Sequence, residues 1–208
     1  MISKERVAKT AERISTMGLE EMQGLAVRMQ SEQPFVMIYL LAISEREGFD
    51  EEQSEHLYFV GTVIWQLMRE NPNGKRKITE QMMDKAEKAN ESLLEKMAAD
   101  SEGDFLSASE SVALNSQEPE VFRYIVEAIM EDEEGNPENP PFTEEHIGTA
   151  FLHLKIVLDA FIAGEKYREI NGRGFHSACE EGRGWQMGYS ITSGPFEWHG
   201  KNVRRLRC

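Results

Sequence analysis

Up to Ala163, apolar side chains recur at spacings of three and four residues, while Gly, Pro and Asn collect in the gaps between these segments. An α-helix gathers residues at that spacing onto one face, whereas a strand needs strict alternation, so the pattern predicts an all-α body. About eight helices fit, arranged as a helical bundle or a short solenoid-like stack.

The first is expected from near Ser3 to Thr16 and the second from Leu19 to Gln30, each with a single apolar face. The third begins at Pro34, which a first helical turn accepts because its missing N–H has no intrahelical partner there. It continues through the unbroken apolar run Phe35 to Ile43, and a girdle of this kind predicts burial on several sides. Asp50 and Gln53 stand at the two positions of a capping box at the start of the fourth helix. That helix carries Leu57, Val60, Ile64, Leu67 and Met68 inward and ends at the linker Asn71 to Lys77. Thr79 caps a fifth helix reaching Met97, a sixth spans about Asp104 to Asn115, and a seventh runs from Pro119 through Met130. After the loop Glu131 to Pro141, Thr143 caps an eighth, expected to stop at Gly164.

The third and seventh helices align at an offset of 85 residues, matching Pro34 with Pro119, Val36 with Val121 and Tyr39 with Tyr124. The following helices align at an offset of 93, since Asp50 and Thr143 are each followed by two glutamates. The difference falls in the acidic, proline-bearing loop, where an insertion costs least. The expected organisation is therefore one helical unit over 1–70, a second over 79–163 packed on it, and possible descent from a duplicated four-helix unit.

The chain's net charge of -14 is uneven: residues 1–170 hold 17 Lys and Arg against 34 Asp and Glu, and residues 171–208 hold 6 against 3. An acidic body repels phosphate backbones and makes nucleic-acid binding by the body unlikely. No uninterrupted apolar segment or signal-like start argues for a membrane, and two cysteines, Cys179 and Cys208, imply no disulfide framework; the expected location is cytoplasmic.

Residues capable of site chemistry are scattered. The residues three before His56, His146 and His153 are Gln53, Thr143 and Ala150, so the Glu-x-x-His pairing of a di-metal bundle is missing. His146 and His153, seven residues apart, lack a third ligand at matching spacing. Most of the eleven methionines lie on apolar helical faces and are expected to fill core gaps rather than to form an adaptable binding surface, with Met82 and Met83 the candidates for exposure. The segment 171–208 holds seven glycines and the basic end Lys201 to Cys208, and is expected to be an irregular or hairpin-like extension. Its His176, Cys179, His199 and Cys208 match the ligand types of structural zinc but not its compact spacing. Arg204, Arg205 and Arg207 are expected to stay solvated or to contact the acidic body.

No phosphate loop, nucleophile elbow, zinc-protease or EF-hand pattern occurs. No catalytic, cofactor-binding or metal-ligating residue is therefore assigned, and no cofactor is expected. The expected function is that of a non-catalytic interaction or scaffold protein with a protein partner. The alternative is a small-molecule or metal-binding protein, an enzyme included, with a site between the fourth and eighth helices where His56, Trp65, His146 and His153 converge.

Overall fold

Ser3, Asp50 and Thr79 each stand where a side chain takes up an amide hydrogen that lacks a partner one turn earlier. The computed structural model describes residues 1–70, 77–97, 116–131 and 140–171, and among them are seven helices and no strand. They are α1 (Lys4–Ser15), α2 (Leu19–Glu32), α3 (Pro34–Glu47), α4 (Glu51–Glu70), α5 (Glu80–Met97), α6 (Pro119–Met130) and α7 (Glu144–Asn171). The fold is all-α. The helix expected over Asp104 to Asn115 and the extension beyond Asn171, with its histidines, cysteines and arginines, lie outside the described residues.

The capping chemistry follows the sequence closely. The Arg6 amide donates to Ser3 Oγ at 3.4 Å, and the Met82 amide donates to Thr79 Oγ1 at the same distance. At the start of α4 the Gln53 amide donates to Asp50 Oδ1 at 2.8 Å while the Asp50 amide donates to Gln53 Oε1 at 3.3 Å, a reciprocal box. Gly48 ends α3 in the left-handed region, φ 72°, which a residue without Cβ adopts at no steric cost.

The seventh periodic segment and the eighth become α6 and α7. Where a stop at Gly164 was expected, α7 runs on to Asn171. A single glycine costs a helix only about 1 kcal/mol, and the residues that follow, Glu165 to Glu169, include good helix formers.

Two helices form the centre. Every residue of α4 from Val60 to Met68 is buried, and between Ala150 and Ile162 only Lys155 and Asp159 of α7 are not. α7 packs against α3, α4, α5 and α6, and α4 also packs against α1, α3 and α6. α1 touches α6, α5 touches α3, and α2 lies on α3. One hydrophobic core draws on all of these elements, with Trp65, Phe122, Phe142 and Phe151 its largest fully buried side chains. Met82 and Met83, singled out for exposure, are both buried in it. The Glu144–Ala163 part of α7 has the length and composition of a membrane-spanning helix, because a few charged residues do not lower its average apolarity enough, and most of it is buried inside the bundle.

The apolar girdle of α3 does not mean burial on several sides. Val36, Leu40 and Ile43 are buried as one stripe, whereas Phe35 and Ile38 on the opposite side are 37% and 43% exposed. The centre falls to α4 and α7 because small and self-bonded residues let neighbours close around them. Thr62 returns its hydroxyl to the Tyr58 carbonyl at 2.8 Å, and Gly61 leaves room for Leu40.

A Cβ built on Gly61 would stand 2.4 Å from Leu40 Cδ1, and Leu40 is 1% exposed. Gly61→Ala gains about 1 kcal/mol of helix propensity but overpacks this contact, a cost of roughly 1–3 kcal/mol. We expect a net loss of about 1 kcal/mol by urea denaturation. Leu40→Ala should then cost less in the Gly61→Ala background than in the wild type, and strict additivity of the two changes would refute the close contact.

Candidate functional site

The outer side of α3 sets the site. Phe35, Ile38, Ala42 and Glu45 follow one another at spacings of three and four, so they share one strip of helix surface, and Ala42 and Glu45 are exposed like Ile38. Tyr39 and Arg46 lie along the edge of this strip that faces α5 and α7.

There the chain places a polar cluster. The His153 ring is 3% exposed, with Nδ1 2.8 Å from the Tyr39 hydroxyl and Nε2 3.3 Å from Arg46 Nη2. A guanidinium can only donate, so Nε2 accepts and the imidazole proton sits on Nδ1. Nδ1 then donates to the Tyr39 oxygen, and the Tyr39 hydroxyl donates to Glu87 Oε1 at 3.3 Å. The result is a directed relay from the Arg46 cation through two neutral rings to the Glu87 carboxylate. Glu47 closes it, 2.7 Å from Arg46 Nε and 3.7 Å from His153 Nε2.

Burial, reinforced by the Arg46 cation and opposed by the Glu47 carboxylate, pushes the His153 pKa down from 6.5 to about 4. Burial first, and then the Glu87 carboxylate, push the Tyr39 phenol far up. Both rings are therefore neutral at pH 7, and both ring nitrogens of His153 and the Tyr39 hydroxyl have partners. Such an arrangement orients helices and presents charge at its rim; it offers no unpaired nucleophile or base. Further along the α5 and α7 contact, buried Asn90 donates to Asp159 Oδ2 at 2.8 Å and accepts from Lys155 Nζ at 2.7 Å.

The four residues considered together for a ligand site go to different places. His146 Nδ1 lies 2.9 Å from Gln53 Oε1, and its ring meets Phe49 edge-on at 5.0 Å. His56 places Nε2 2.6 Å from the Ala128 carbonyl and its ring 5.7 Å from Phe142. Phe49 and Phe142 are themselves 5.5 Å apart, so His56 and His146 flank one aromatic cluster. His153 turns instead to α3. Trp65 is fully buried, its indole N–H without a hydrogen-bond partner, beneath the Arg69 guanidinium at 6.0 Å. Among the described residues no three His, Cys, Asp or Glu group to hold a metal ion.

Sequence reading missed the relay because its members come from three helices. One signal was present: at the offset of 93, His153 aligns with Val60, so a histidine occupies a buried position that the corresponding helix fills with valine. The partner of Tyr39 at the offset of 85, Tyr124, has a buried hydroxyl with no hydrogen-bond partner. The same offset sets Ile38 against Arg123 and Ala42 against Glu127, both exposed on α6.

No family model, curated protein or solved structure matches this chain.

His153 gives the fold a pH dependence of known sign. Its folded pKa lies below the unfolded value, so the unfolded chain takes up the proton first; the contribution is complete above pH 6.5 and is lost as pH falls toward 4. Across that window wild type should lose on the order of 3 kcal/mol more stability than His153→Val, as followed by urea denaturation at a series of pH values. Parallel pH profiles for the two proteins would show that His153 is not held neutral.

Proposed function

We propose that this chain is built from two copies of a four-helix unit, and that it acts as a non-catalytic interaction protein whose docking face is the outer side of α3. The reading comprises eight helices, with the sixth in the segment 104–115, an irregular glycine-rich extension over 171–208, and a reducing, cytoplasmic setting suited to a chain with only two cysteines.

The duplication is supported by the pairing of helices. The α1 contact with α4 has a counterpart in α5 with α7, α3 with α4 in α6 with α7, and α1 with α6 in α5 with α3. The contact of α3 with α7 is matched by that of α6 with α4. Residues equivalent at the offset of 93 meet each other, Phe49 with Phe142 and Gln53 with His146, as residues beside a two-fold axis do.

A second repeated detail is finer. Gln33 and Glu118, 85 residues apart, each precede a proline that opens a helix, which holds them out of the helical conformation. Glu118 accepts from the Ile2 amide at 2.6 Å and Gln33 from the Ile78 amide at 2.8 Å, in each case just ahead of the next helix's cap. Both side chains are buried, and both isoleucines are buried.

The function is carried by one observation: α3 exposes Ile38 and Ala42 where α6 exposes Arg123 and Glu127. The fold accepts charge at that position, so apolar surface on α3 is not a demand of packing. Exposed apolar strips on a helix receive the apolar face of a partner helix.

The test transfers the α6 residues to α3. The Ile38→Arg and Ala42→Glu double variant should keep its helical circular dichroism and its urea midpoint, because both sites face solvent. Used as bait in extract of its source cells, with quantitative mass spectrometry, wild type and an Arg123→Ala, Glu127→Ala control should retain a common set of proteins that the α3 variant loses. An identical set from all three, or turnover of a small molecule by the purified chain, would overturn the proposal.

A further inference from the structure

The chemistry of the partner can be narrowed from the charges that border the α3 strip; this step rests on the docking reading above. Glu45 continues the strip directly after Ala42, is exposed, and has no ion-pair partner among the described residues. Along the edge that faces α5 and α7 the relay brings Glu47 and Glu87 to the rim, with side chains 28% and 36% exposed, and among the described residues the cation paired with both is Arg46. Arg46 is already engaged, 2.7 Å from Glu47 and 4.0 Å from Glu87. Glu45 thus stands on the strip unpaired among the described residues, two further carboxylates share the Arg46 guanidinium at its edge, and Glu45 and Glu47 lie in the last turn of α3, where the aligned peptide dipoles add partial negative charge.

The relay also explains why these charges stay where they are. His153 and Tyr39 hold Arg46 and Glu87 in place from beneath, and the aligned position in the other half, with Val60 for His153, has no such support. The position that holds Val60 in one half holds the polar His153 at this edge.

We infer that the occupant of the strip is a basic amphipathic helix of a partner protein. Its apolar stripe covers Phe35, Ile38 and Ala42, and Lys or Arg residues flanking that stripe lie against Glu45 on the strip and Glu87 at its edge. An acidic helix would bring like charge to the same edge, and unfavourable juxtaposition of this kind is a main source of partner discrimination.

The probes are two synthetic amphipathic helices with one leucine stripe in common, flanked by lysines in the first and by glutamates in the second. Binding to the full chain is read by fluorescence anisotropy at low and physiological salt. The lysine peptide should bind at least about ten-fold more tightly than the glutamate peptide. Glu45→Gln with Glu87→Gln should remove most of that preference and flatten the salt dependence, and the Ile38→Arg, Ala42→Glu variant should weaken both peptides at least ten-fold. Equal binding of the two peptides, no binding of either, or lysine-peptide binding that neither variant alters would overturn the inference, the last because attraction to the acidic body would explain it. If the α3 variant still loses its cellular partners while the lysine peptide fails to bind, the docking face stands and its occupant has another chemistry. If that variant keeps its cellular partners, the docking reading falls whatever the peptides do.

Discussion

Burial of Val60–Met68 of α4 and of most of Ala150–Ile162 of α7 is the constraint from which the other helices take their places. A helix without a solvent face needs neighbours all round it, and the peripheral helices meet that need: α1, α3 and α6 around α4, and α3, α5 and α6 around α7. Phe49 and Phe142, stacked edge to face just before the two helices begin, join their N-terminal ends, with Gln53 and His146 bonded one turn inside. Gln53 serves twice, since the same Oε1 that takes the Asp50 amide in the capping box also faces His146 Nδ1. Local helix initiation and long-range pairing of the two central helices thus converge on one side chain.

The proposed correspondence of two halves carries its own comparison. Where both halves agree, the fold requires the feature: proline after a buried Gln or Glu, an isoleucine amide bonded to that side chain, an aromatic before each central helix. Where they differ, the fold accepts either choice and another demand decides. Exposed Ile38 and Ala42 set against Arg123 and Glu127, and buried His153 set against Val60, all concern α3 and its edge. The proposed docking role is placed at that edge for this reason. The histidines that attract notice in the sequence tie helices together instead: His56 bonds the Ala128 carbonyl of α6, and His146 bonds Gln53 of α4.

Helix starts were legible because a cap is a local matter of three or four residues, as with Asp50 and Gln53 or Thr79. The rank of each helix in the core was not. The run from Phe35 to Ile43 is more apolar than any stretch of α4, yet it faces the surface on one side. Val60 to Met68, interrupted by Gly61, Thr62 and Gln66, is the stretch that disappears inside. Hydropathy measures the cost of exposure and says nothing of who approaches, whereas Gly61 permits the approach of Leu40 that closes the core. The relay was hidden for a related reason: Tyr39, Glu87 and His153 are far apart in the chain and meet only after α3, α5 and α7 have packed.

Native-state hydrogen exchange tests the central place of α4 and α7 most directly, because amides that open only on global unfolding mark the cooperative core. The account predicts that the slowest class comprises amides of Val60–Met68 and of Ala150–Val157 with a common free energy of opening, and that α2 and the outer side of α3 exchange faster. Slowest exchange in α3, or clearly different opening energies for the α4 and α7 segments, would contradict a single core built on that pair of helices.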